Sequence, residues 1–150
     1  MLRSLLTAKP INLDLGLLIA RLGIGLSMLC LHGWGKLTGG PGTWEFLGSQ
    51  MQNLGIDFLP TMWGFLAMFA EVFGSAFLIL GLFFRPAAVM LMGTMIVAAL
   101  RHLNLPPDAD GAGLKGAAHA LELLAVYAAL LFTGPGRYRI ALPIGGDKTK

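Results

Sequence analysis

Cysteine is nearly absent from this sequence: Cys30 alone excludes an internal disulfide and any Cys-x-x-Cys redox or zinc motif, and is expected as a small buried apolar side chain. Charge is scarce too, with 13% of the 150 residues charged against about a quarter in soluble domains. The eleven Lys and Arg outnumber eight Asp and Glu, but they are scattered at the ends of apolar runs instead of gathered on one face, which excludes nucleic acid as a partner. No haem, flavin or iron–sulfur binding pattern is present, so any electron handled here has to come from another protein. The three histidines, His32, His102 and His119, are far apart with no close His-x-x-x-His spacing, and no metal site is expected.

What the chain has is apolar sequence: 55% of its residues are hydrophobic and its mean hydropathy is +0.71. A hydrocarbon core of about 30 Å is crossed by roughly 20 helical residues. Four stretches fit, at about 15–34, 61–84, 86–103 and 114–133, within one integral membrane domain over 1–150. The expectation is an all-α membrane protein, an antiparallel bundle of four transmembrane helices, with a short interfacial helix around Trp44 to Leu54 in the first outer loop. Arg21 interrupts the first run and no small-residue cleavage pattern follows, so that run reads as an uncleaved span. The third span has an uncharged core of only fifteen residues, "PAAVMLMGTMIVAAL", and must draw on Arg101, whose head can snorkel to the lipid headgroups. Arg3, Lys9, Arg85, Arg137, Arg139, Lys148 and Lys150 fall on one side and the acidic loops on the other, which predicts a multi-pass protein with both termini cytoplasmic.

Ionisable residues inside spans are costly and face the bundle interior in pairs. Along the first helix Gly25, His32 and Lys36 fall within roughly 60° of Arg21; along the second, Gly64, Glu71, Gly74 and Leu78 share a face. His119 and Glu122, three apart, meet on the fourth. Counting depth at about 1.5 Å per residue brings Arg21 level with Glu71 and Glu122, so Arg21 is expected to pair with one of them. The other carboxyl is then left neutral or held by a histidine. His32, Lys36 and His102 are expected to converge near the outer face. A purely structural ion pair that fixes helix register stays open beside a functional one.

The segments "RLGIGLSMLCLHGWGKL", "AEVFGSAFLILGLFFRPAA", "VAALRH" and "ALELLAVYAALLFTGPGRY" carry the patterns HGxxK, ExxG followed by GxxxR, and GPGRY, and with them the chain resembles the DoxX family of small bacterial inner-membrane proteins over nearly its whole length. The resemblance implies a four-helix membrane bundle with cytoplasmic termini, polar positions carried by Arg21, His32, Lys36, Glu71, His102 and Glu122, and kinship with the membrane subunit of a thiosulfate:quinone oxidoreductase. Three functions follow as expectations. The first is a quinone-linked subunit of a redox complex, with a bound quinone as its cofactor, His32 and His102 donating to a quinone carbonyl, Glu71 or Glu122 moving protons, and a soluble or membrane redox partner supplying electrons. The second is a non-catalytic scaffold or assembly factor for a redox or stress-response complex. The third is a small-solute transporter, for which four helices are thin unless the chain forms a homo-oligomer. Whether the chain is an enzyme stays open among these.

Overall fold

A computed structural model describes residues 10–140. All regular structure among them is helical, and four helical stretches are long and apolar enough to cross a membrane. The first, Leu13–Leu54, is much longer than one span needs. It comprises α1 (Leu13–Ser27), a π-helical turn (Met28–Gly33), α2 (Trp34–Ser49) and a 3₁₀ turn (Gln50–Leu54). Asn12 caps α1, its side-chain oxygen accepting from the Leu15 N–H at 3.0 Å. At Gly40, with φ of 67°, and Pro41 the helix breaks, and the rest of α2 folds back towards the next span. The second span is α3 (Pro60–Phe69), a π-helical turn (Ala70–Gly74) and α4 (Ser75–Leu80); α5 (Phe84–Leu103) and α6 (Gly113–Thr133) complete the bundle.

The helix expected in the first outer loop is thus the second half of α2, and it is locked to α3 by a glycine crossing. A Cβ on Gly48 would overlap the Pro60 carbonyl, and one on Gly64 the Trp44 carbonyl, so the two backbones touch. Trp44 fixes the bend from inside, donating its indole N–H to the Lys36 carbonyl at 2.8 Å and meeting Phe65 edge-on. At the other end of the bundle, α4 closes with the Leu82 N–H on the Phe77 carbonyl and the Gly81 N–H on the Leu78 carbonyl, the Schellman pattern, and α5 begins within three residues.

The described ends meet at this same end. Asp14 accepts from the Arg137 backbone N–H at 2.8 Å and pairs with its side chain at 3.5 Å, and the Ile140 N–H reaches the Leu80 carbonyl at 3.0 Å. The spans therefore alternate in direction. Between them Met28, Leu78, Leu91, Met95, Tyr127 and Leu130 form the core. Outward, large apolar side chains such as Leu31 (75% exposed) and Phe132 (84%) face the acyl chains, where close packing inside the bundle, not escape from water, holds the helices together. Cys30 is exposed, contrary to the expectation that it is buried; on a lipid-facing surface a thiol is as well accommodated as in a core.

Candidate functional site

Among the described residues the buried polar or charged side chains besides Tyr127 are Arg21, Glu71 and Ser75, at 0%, 2% and 0% exposed. Arg21 and Glu71 do not pair. Arg21 donates from Nη2 to the backbone carbonyl of Tyr138, and its other guanidinium nitrogens have no protein partner. Its guanidinium lies against Gly81, under the chain segment after α6. The expected pairing with Glu71 or Glu122 is therefore corrected: Arg21 anchors the C-terminal segment at the end of the bundle where the described termini meet.

Glu71 pairs with Lys36 instead. Two features bring them together. The first span continues beyond His32, so Lys36 lies within the bundle and not at its rim. Both strands of the contact also pass through π turns, where each residue turns the chain by less than in an α-helix and the following face is rotated. The turns touch at Gly33: a Cβ there would lie 3.0–3.2 Å from Val72 Cγ2 and the Glu71 backbone, a tight fit, so the glycine lets the two turns and Lys36 beyond them come close. Glu71 Oε2 remains without a partner, and so do the buried hydroxyls of Ser75, one turn further along, and of Tyr127 on α6, which lies within the field of the Glu71 charge.

The pair lines a cavity of about 590 Å³ bounded by α2 with its 3₁₀ turn, α3 and α5. That volume is in the range of sites for small organic ligands. Its wall is mostly apolar, including Met51, Leu66, Phe69, Met90 and Val97, with polar groups at the ends. From Met90 to His102 on α5 it extends about 18 Å along the helix. At the end away from the described termini lie Gln50, Arg101 and His102. Arg101 stacks over the Phe46 ring with its guanidinium carbon 5.7 Å from the centroid. His102 Nδ1 is 2.8 Å from the Gly111 carbonyl; a ring donating there keeps its Nε2 as an acceptor. Trp63 also lines the wall, and its buried indole N–H has no protein acceptor.

Of the seven residues expected to form the polar site, Lys36, Glu71 and His102 line this cavity. His32 does not. It turns to α6 and stacks on His119, ring centroids 5.5 Å apart and planes 25° from parallel, so the expected carbonyl-binding end made of His32 and His102 is not assembled. His32, His119 and Glu122 are all exposed on the outside of the bundle. Trp63, Gln50 and Arg101 were not read as site residues. Trp63, Ala67 and Glu71 recur every four residues, a helical face that points to the indole as a neighbour of the glutamate.

The DoxX family model matches residues 16–103, which include every residue of the cavity wall and leave out His119 and Glu122. The inner membrane protein YqjF of Escherichia coli (strain K12) is 30% identical over 130 residues, 85% of this chain and 90% of that protein. No solved structure matches the chain significantly.

Proposed function

Because the chain belongs to the DoxX family of integral inner-membrane proteins, we propose that it is a quinone-binding subunit of a membrane redox system, with the quinone head group held in the cavity beside Lys36 and Glu71. The observation that carries this reading is an ion pair between the buried Glu71 and the half-buried Lys36 that opens onto an apolar cavity, with a carboxylate oxygen and an indole N–H in the same walls both lacking a protein partner. A quinone supplies the two-electron chemistry when bound, taking electrons from a partner protein. Lys36 and Trp63 can donate hydrogen bonds to its carbonyl oxygens, and the ammonium stabilises negative charge that develops on the oxygen it faces. Glu71, a carboxylate beside Lys36, can take up a proton on its open oxygen and pass it to a quinone oxygen as electrons arrive, returning to the carboxylate. The apolar wall between Met51 and Met90 receives the ring and the first part of an isoprenoid tail.

The test is binding. Lipid extracted from the purified full chain should contain a quinone by mass spectrometry, and a short-chain quinone should quench tryptophan fluorescence by an amount that falls in Trp63→Phe. Loss of a charge-assisted hydrogen bond is worth about 1.5–3 kcal/mol, so Lys36→Met should weaken binding roughly 10- to 100-fold. No copurified quinone together with no quenching would overturn the proposal and leave the non-catalytic scaffold as the better reading.

A further inference from the structure

Glu122 stands nine residues into the 21-residue helix α6, about 13 Å from its start and so near the middle of a span. It is exposed on the outside of the bundle and makes no hydrogen bond or ion pair with a described residue. His119, one turn before it, and His32, stacked on His119, are exposed beside it and make no hydrogen bond either. Lipid tails offer such groups nothing: a carboxyl and two imidazoles left against hydrocarbon are expensive, and intramembrane ionisable side chains are met by partners. The stripe that carries Glu122 is otherwise made of small residues. Ala118, Ala125 and Ala129 lie at helical spacing on the same side, which lets another helix approach α6 closely.

We infer that this face of α6, with His32 beside it, is the interface of a two-fold symmetric dimer of this chain. A second copy is the occupant because the patch is complementary to itself. It holds the acceptor, Glu122, and the donors, His32 and His119, side by side, and a two-fold contact brings the same patch of both copies together, so that Glu122 of each can cross to His119 of its mate. Both copies insert in the same direction, so the axis runs along the membrane normal. Glu122 of one copy and His119 of the other then differ in depth by about 4.5 Å, three residues of rise, which a glutamate side chain spans. The cavity beside Lys36 lies between α2, α3 and α5, so the dimer leaves it accessible and the inference stands apart from the quinone reading.

Native mass spectrometry of the full chain released from lipid nanodiscs, with subunit counting by photobleaching in a bilayer, tests it. The wild type should be dimeric. Glu122→Ala and Ala125→Leu should each raise the dimer dissociation constant at least tenfold, one by removing the acceptor and the other by keeping the α6 stripes apart. Ala125→Cys in a Cys30→Ser background should crosslink to a covalent dimer on oxidation. Both positions are exposed in the monomer, so unchanged melting of the monomeric variants separates a lost interface from a lost fold. A monomeric wild type, a dimer indifferent to both substitutions, or a stoichiometric second protein seated on this face would overturn the inference.

Discussion

Replacing Lys36 by methionine keeps the length and most of the packing of the side chain while removing its charge, and the consequence can be worked from the burial of its partner. The Glu71 side chain is 3% exposed, and with Lys36 gone neither of its oxygens has a partner. Removing one member of a buried pair costs about 3–5 kcal/mol because the other charge stays uncompensated. The reverse change is milder. In Glu71→Gln the amide oxygen still accepts from Lys36, whose side chain, 22% exposed, is less desolvated than that of Glu71; about 1–2 kcal/mol is expected, the worth of a weakened hydrogen bond. At roughly 2–4 °C per kcal/mol for a chain of this size, Lys36→Met should melt on the order of 10 °C below the wild type in a mild detergent, and Glu71→Gln only a few degrees below. The double variant Lys36→Met with Glu71→Leu, apolar at both positions, should regain most of the loss. The melts can be followed by tryptophan fluorescence. Equal, small shifts for the two single variants, or a double variant worse than Lys36→Met, would refute the buried pair.

Two further predictions concern the frame around the site. Gly64→Ala places a methyl group into the Trp44 carbonyl and should cost about 3 kcal/mol or more, while Gly23→Ala, which meets nothing within 4 Å, should be neutral or slightly stabilising; equal melting of the two would contradict the glycine crossing. The Lys and Arg distribution predicts that both termini are cytoplasmic: compartment reporters fused after Asp108 and after Lys150 should report opposite sides, and the same side for both would defeat that orientation.

The four spans were legible because hydropathy and length are enough to identify helices that must satisfy their own backbones in lipid. The polar residues were legible for the same reason: Arg21, Lys36 and Glu71 stand out against apolar sequence. Their partners were not. Counting along straight 3.6-residue helices ended the first span at about residue 34 and placed Lys36 at the rim, whereas the helix continues to the break at Gly40. The π turns at Met28–Gly33 and Ala70–Gly74 then shift the faces on which Lys36 and Glu71 lie, and no local sequence pattern announces a π turn. Arg21 found a backbone carbonyl, a partner that no inventory of charged residues contains. The cavity itself depends on how α2 folds back on α3, which the glycines Gly48 and Gly64 permit; "small residue, small residue" reads equally well as any other close crossing until the two helices are known to be neighbours.

Photolabelling tests the central claim most directly. An azido-quinone photoactivated on the purified protein in lipid should label peptides that line the cavity, around Met51, Trp63 and Met90, with labelling suppressed by excess unmodified quinone and reduced in Lys36→Met. Labelling confined to the outer faces of the spans, unaffected by competing quinone and by the Lys36 substitution, would contradict a quinone site beside Lys36 and Glu71.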